Sequence, residues 1–294
     1  MAGTRELRRR LTSVKNTKKI TYAMKLVSAA KLRKAQEQAQ SGRSFAELVY
    51  KAFGKAVYAY KGKDEHPLLK AKTDSNAPVR LIVVGGNRGL CGAYNTNVNK
   101  TTEQFIKKQE NKGVSLEIIT LGKKPSEYMR RTSRTVLAAF ETLPEEPAKW
   151  PLEDICRSCV ADFISGKISA VYVLYTKFNS ALSLIPKTDQ VLPLDIEKIN
   201  SISSKANVST DTIIEPNAVR VLEEIVPLAI GAQVRQGCFE SKASENASRM
   251  TSMDAATKNA GDLIKKLSLK YNKLRQGNIT SELLDIIGGA EATN

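Results

Sequence analysis

The 294-residue chain has one histidine, one tryptophan and four cysteines. The histidine, His66, sits beside Pro67 in a polar stretch and reads as a solvated loop residue. A catalytic triad or a histidine-containing metal site therefore has little to work with. The cysteines, Cys91, Cys156, Cys159 and Cys238, are too few and too scattered for a disulfide framework. No window approaches the roughly 18 uninterrupted apolar residues of a membrane span. "MAGTRELRRRLTSVKNTKKI" lacks the apolar segment of a secretory signal. These absences predict a reduced, aqueous setting and leave peripheral membrane attachment open. Acidic residues are also short: 30 against 46 Lys and Arg, a formal net charge of +16 and a pI near 9.6. Such a balance favours an acidic partner, whether nucleic acid, anionic lipid or an acidic protein surface. With 41% hydrophobic residues the chain has ample material for a core.

Proline is missing from residue 4 to about residue 61, and glycine occurs there only at Gly42 and Gly54. Apolar residues fall at Leu7, Leu11, Val14, Ile20, Met24, Val27 and Ala30, steps of three and four that predict one apolar stripe on a long helix. At 1.5 Å per residue, nearly sixty residues span roughly 85 Å, wider than a compact domain of this size. "KGKDEHPLLKAKTDSNAP" then reads as a polar linker. Past a second connecting region, "LPLDIEKINSISSKANVSTDTIIEP", another helical run continues almost to the end. It carries Ala243, Ala247, Met250, Met253, Ala256, Ala260, Ile264, Leu267, Tyr271 and Leu274, at a mean spacing near the coiled-coil period of 3.5. Pro227 is expected to kink or interrupt this run near its start. Neither helix can bury its stripe alone, so an antiparallel pair is the economical solution. Their unequal lengths leave part of the C-terminal helix unpaired.

Between the helices the pattern alternates. Residues 81–84, 116–120 and 169–178 read as strands, and residues 97–112, 124–132 and 152–165 as helices. That rhythm predicts a parallel sheet with crossover helices. The first strand leads into the glycine-rich loop of "VRLIVVGGNRGLCGAYN" (79–95). A dinucleotide fingerprint fails there, because its first glycine would be Val84. A phosphate loop fails because Leu90 and Ala93, not Lys-Ser/Thr, follow Gly89 and Gly92. "LGKK" stands where an acidic ribose-binding residue belongs after the second strand. The loop therefore reads as a strand-to-helix turn whose glycines permit close packing.

Cys156 and Cys159 form a C-x-x-C inside a predicted helix, and no second cysteine pair exists for zinc. They read as two half-buried thiols one turn apart. Glu145, Glu146, Glu153 and Asp154 flank a proline-rich turn around Trp150, as a loop and a helix N-terminus, with no acid–base pair standing out. Residues 1–40 hold 11 basic residues against Glu6 and Glu37, a net +9. A solvated face usually mixes signs, so this one predicts an anionic surface nearby. Nucleic acid is disfavoured by poor aromatic interleaving, with Tyr22 alone in the segment. At the other end, "ITSELLDIIGGAEATN" puts Ile279, Leu283, Leu284, Ile286 and Ile287 on a helix end, which calls for surrounding protein.

Three segments resemble one family, the gamma subunit of F-type ATP synthases. "KKITYAMKLVSAAKLRKAQ" (18–36) is similar to its N-terminal signature and "NRGLCGAYN" (87–95) to its globular-domain loop. "ESKASENASRMTSMDAATKNAGDLIKKLSLKYNKLRQGNITSELLDIIGGAEA" (240–292) resembles its C-terminal signature. The resemblance implies an α/β fold class: a long antiparallel coiled coil of the N- and C-terminal helices with an inserted Rossmann-like domain. The expected division is 1–62, 75–205 and 209–290.

It further implies a rotor shaft, non-catalytic and without cofactor or metal, inside a hexamer of alternating alpha and beta subunits. The epsilon subunit and the membrane c-ring are the other implied partners, with membrane contact only through the complex and no nucleic acid. The implied place is the cytoplasmic face of a bacterial plasma membrane. Implied contacts to beta-subunit loops and to an apolar bearing are Lys19, Met24, Lys25, Arg275, Gln276, Thr280, Glu282, Leu283, Ile286 and Ile287, with Arg249 tying the two helices together. For each the alternative is a solvated or intra-coil role. The chain departs from the family at Asn87, where Asp is usual, at Thr176, where Asn is usual, and at Gly277, where Ala is common. Gly277 softens the helix by about 1 kcal/mol. The redox insertion of the plant chloroplast form is absent. A nucleotide-dependent enzyme using the 85–92 loop and a basic coiled-coil nucleic-acid binder are the competing readings.

Overall fold

The run VRLIVV forms β1 (Val79–Val84), buried along its whole length and central in a five-stranded sheet. The computed structural model describes residues 2–59, 77–194, 215 and 218–291. His66 and most of both connecting regions lie outside them. Element order is α1 (Ala2–Ala59), β1, α2 (Tyr94–Glu110), β2 (Leu116–Leu121), α3 (Lys123–Arg131), β3 (Ala138–Phe140), α4 (Leu152–Ser165), β4 (Ala170–Ser180), β5 (Ser183–Leu192) and α5 (Ala218–Glu291). The sheet order is β3-β2-β1-β4-β5. Strands β1 to β4 pair in parallel, and β5 returns antiparallel to β4.

Helices cover both faces of this sheet, as parallel strands require. Ile82 and Val84 point into one core with Phe53 of α1, Phe163 of α4 and Leu222, Val226, Ile230 and Val234 of α5. Leu81 and Val83 point the other way, toward Val98 and Ile106 of α2 and Met129 of α3. The alternation along β1 thus feeds two apolar layers.

Three sequence expectations are corrected. The sheet is mixed, because β5 completes a hairpin that the parallel reading omitted; Pro186 is tolerated there because β5 is an edge strand. Pro227 does not end α5, which continues through it. Pro227 and Glu223, whose carbonyl loses its amide partner, are both exposed, so water can take that bond. Cys156 and Cys159 do lie within α4, but they are fully buried, at 6% and 1% exposure, rather than half-buried.

All four cysteines are buried thiols outside any disulfide. Burial pushes the Cys156 thiol up to about 12, and it raises Cys159 and Cys238 as well. A thiolate-selective reagent at pH 8 is therefore expected to leave the native chain unmodified for hours and to label four thiols once urea is added. Mass spectrometry before and after denaturation reads the result; labelling of Cys156 in the native state would contradict the burial.

Two compact units make up the chain: Met1–Ala29 with Arg249–Asn294, and Ala30–Ser248. No described helix is long and apolar enough to cross a membrane.

Candidate functional site

Within the Ala30–Ser248 unit, the glycine loop lies at the C-terminal ends of β1 and β2, beside the point where the order passes from β1 to β4. Doubly wound sheets bind ligands at such a switch point. Here the loop is already engaged by the chain. Gly85 N donates to Leu121 O at 2.9 Å, Lys124 N to Gly86 O at 2.9 Å, and Gly86 N to Asn95 Oδ1 at 3.1 Å. A Cβ on Gly86 would sit 2.9 Å from Asn95 Oδ1 and 3.3 Å from Glu245 Oε1, so a carboxylate of α5 stands against the loop. The turn reading of this loop agrees with that geometry.

Asn87 has a specific place. Its Nδ2 donates to Leu143 O at 3.2 Å, and its Oδ1 accepts from Lys123 N at 3.3 Å. An ionised aspartate has no donor for Leu143, so the departure from the family pattern carries a hydrogen bond of its own.

The part of α5 against the loop is buried although it is polar. Glu240, Ser241, Lys242, Ser244, Glu245, Asn246 and Ser248 are all below 10% exposed. Ser241 Oγ accepts from Thr176 N at 3.3 Å and lies 2.8 Å from Tyr94 Oη. Ser244 Oγ donates to Thr176 O at 3.0 Å, and Ser248 Oγ to Cys91 O at 2.6 Å. Lys242 pairs with Glu245 at 3.1 Å and with Glu145 at 3.2 Å; Glu145 also pairs with Lys31 at 3.3 Å. Burial alone would raise Glu145, but Lys242 and then Lys31 outweigh it and hold its carboxyl below the usual range. Glu146 pairs with Lys34. The acidic turn around Trp150 is thus a brace between the terminal helices, a role its sequence did not reveal. On the other side, Arg43 of α1 reaches Glu240 at 2.9 Å and Gln236 donates to Ala39 O at 3.1 Å. Burial, with Glu245 nearby, raises Tyr94 above its ordinary value, so its hydroxyl stays protonated. No group of three His, Cys, Asp or Glu among the described residues is placed to hold a metal.

In the other unit, α1 and α5 meet along a narrow seam. On α1 it runs through Leu7, Leu11, Val14, Thr21, Met24 and Ser28, whereas Ile20 and Val27 are 60% and 56% exposed. Ala30 is exposed too. The predicted stripe is corrected there. A seam that keeps a seven-residue step puts the small polar residues Thr21 and Ser28 inside and leaves the larger apolar ones outside. On α5, Met253, Ala260 and Leu267 are buried, and Ile264 and Tyr271 are half-buried, as the spacing predicts, whereas Leu274 is 40% exposed and falls outside the seam. The Thr21 and Thr257 hydroxyls are 2.8 Å apart, and Lys25 Nζ meets Asp254 Oδ1 at 2.6 Å. Hydrogen bonds from Lys25 and then Lys258 hold the Asp254 carboxyl down at about 2.

The residues singled out from the sequence are not gathered into one site. Lys19 is exposed and Met24 is half-buried. Lys25 is committed to the inter-helix ion pair with Asp254, a link that sequence spacing alone did not assign. Arg249 is half-buried. Arg275, Gln276 and Thr280 are exposed, with Thr280 Oγ1 donating to Gln276 O at 3.0 Å. Leu283 and Ile287 are 55% and 57% exposed. Glu282 and Ile286 lie on α5, with side chains outside those described. All residues from 272 to 277 are exposed.

A family model described as ATP synthase matches residues 3–293. The gamma chain of the ATP synthase of Synechococcus sp. (strain JA-2-3B'a(2-13)) is 36% identical over 315 residues, covering 99% of this chain and 100% of that one. The chain belongs to the ATP synthase gamma-chain family. The gamma chain of Pelotomaculum thermopropionicum is 37% identical over 292 residues, with 99% of each covered. A chain in the Euglena gracilis mitochondrial ATP synthase structure "OSCP/F1/c-ring, rotational state 3" shares the fold, with a TM-score of 0.67, 20% identity and coverage of 99% and 95%. As a gamma chain the protein is a central-stalk subunit of an ATP synthase, and catalysis belongs to the complex.

Proposed function

We propose that the helical pair of the Met1–Ala29 and Arg249–Asn294 unit is a shaft that turns inside a hexamer of alternating alpha and beta subunits. The globular domain then contacts the epsilon subunit and the c-ring, on the cytoplasmic face of the membrane, and ion flow through the ring drives the rotation. The division into 1–62, 75–205 and 209–290 is part of this reading. The observation that carries it is the apolar surface outside the seam. Ile20, Leu26 and Val27 on α1 and Leu269, Ile279, Leu283, Leu284 and Ile287 on α5 are all large and exposed. Exposed apolar residues at this density ask for a protein sleeve.

The basic face of α1 then meets acidic beta-subunit loops through Lys19, with Met24 and Lys25 beside them. Arg275, Gln276, Thr280 and Glu282 make the polar contacts of the α5 end, and Leu283, Ile286 and Ile287 turn in the apolar bearing. Arg249 helps hold the helices together. Chemistry stays with the hexamer, and this chain changes the shape of each catalytic site in turn.

Purification of the tagged chain from its own cells is expected to recover a large ATP-hydrolysing complex, with one copy per three of each large partner. Truncation after Arg275 removes the bearing and is expected to lower ATP synthesis in membranes about ten-fold or more, through lost coupling or assembly. No catalytic residue is touched. Unchanged synthesis by membranes carrying the truncation would overturn the bearing.

A further inference from the structure

The buried polar stretch of α5 has a feature that packing alone does not require. At 100° per residue, Ser241, Ser244 and Ser248 fall within about 60° of one another on the helix circumference. They engage Tyr94, both backbone groups of Thr176 and the carbonyl of Cys91, which belong to α2, β4 and the glycine loop. Lys242 leaves the helix about 100° from Ser241 and meets Glu145 of the brace. Glu240 and Gln236 leave about 100° and 140° from Ser241 in the opposite sense, and meet Arg43 and Ala39 O of α1. Polar contacts therefore hold the helix from three directions. Apolar contacts are non-directional and survive a small rotation of a helix about its axis. Hydrogen bonds weaken steeply once bent, so they resist it.

We propose that residues 240–248 form the seat at which turning force passes between the globular domain and α5, with Ser241, Ser244 and Ser248 as positioning residues that fix the rotational phase of the helix. The inference rests on the rotor reading above. Burial makes the seat stiffer, because water cannot replace a bond as it breaks. Closeness of approach adds to it: a Cβ on Gly237 would lie 3.2 Å from the Tyr175 ring, and one on Gly42 would lie 2.5 Å from Gln236 Oε1. The helix sits in a socket shaped to its surface, and the three serines key it.

The test uses the whole complex in inverted membrane vesicles and compares vesicle acidification with ATP hydrolysis. The triple variant Ser241→Ala, Ser244→Ala, Ser248→Ala is expected to assemble and to hydrolyse ATP within about two-fold of the parent, while acidification per ATP falls about three-fold or more. Phe53→Leu, a core change outside the seat, serves as a control for general loosening and is expected to keep the parental ratio at a similar loss of thermal midpoint. A parental ratio in the triple variant overturns the proposal, and so does an equal fall in Phe53→Leu. Should the triple variant fail to assemble, Ser244→Ala and Ser248→Ala singly must each lower the ratio, and an unchanged ratio in either overturns the proposal. A parental chain that recovers no ATP-hydrolysing complex would instead refute the rotor reading.

Discussion

Gly122→Ala is expected to prevent the α/β unit from folding stably. Gly122 follows β2 with φ 118° and ψ 151°, a region open almost only to glycine. A Cβ there would lie 2.5 Å from Gly85 O and 3.0 Å from Gly85 C. Gly85 cannot withdraw, because its amide is bonded to Leu121 O and a Cβ on its own outer side would lie 2.7 Å from the Pro125 ring. The strained backbone alone costs about 1–3 kcal/mol. The clash falls on backbone that ends two central strands, so the total is about 4 kcal/mol or more, a large share of a domain's 5–15. Purified variant, if any is soluble, should melt about 10 °C or more below the parent. A melting point within two or three degrees of the parent would mean that β1 and β2 do not end in this close approach.

Arg80→Leu should produce the next largest loss. Arg80 is 3% exposed within β1, with its guanidinium 2.7 Å from Glu117 and 2.8 Å from Asp162. Removing it leaves two carboxylates facing one another across a new apolar group. Breaking a buried pair costs about 3–5 kcal/mol. The carboxylates here are 31% and 22% exposed, so water relieves part of the cost and about 2–3 kcal/mol is expected.

The pH dependence separates this from a simple packing defect. The hydrogen bond from Arg80 is the main cause that holds the Asp162 carboxyl below its ordinary value. A folded pKa below the unfolded one contributes stability that is complete above about pH 4 and is lost as pH falls through the folded value. The gap between parent and variant, followed by urea unfolding, should therefore be widest near neutrality and narrow below about pH 4. A gap that stays constant down to pH 3 would assign the loss to packing.

Not every element was equally legible in the chain itself. α4 shows its boundaries because an apolar face at helical spacing starts after Pro151 and ends at Gly166, which caps it with φ 83°. β3 is three residues long and only half-buried, so it carries little pattern. β5, with Pro186, Lys187 and Asp189, lacks apolar alternation because neither face of its first eight residues is fully buried. The seam of α1 was misplaced at Ile20 and Val27 because size invited the assignment, whereas closeness of the two helices selected Thr21 and Ser28. The seat on α5 was hidden for a related reason: polar residues carry no mark that says they will be buried.

The sequence by itself determined the two long helices, the α/β middle, the basic charge and the family, because period, composition and long signatures are local properties of the chain. Tertiary structure alone decided what the polar residues do. Lys25 closes on Asp254, Glu145 joins Lys31 to Lys242, and the glycine loop holds Ser248 of α5. Each of these contacts joins groups 97 or more residues apart. Their partners are set by which faces the sheet and the helices bring together, and no spacing along the chain records that.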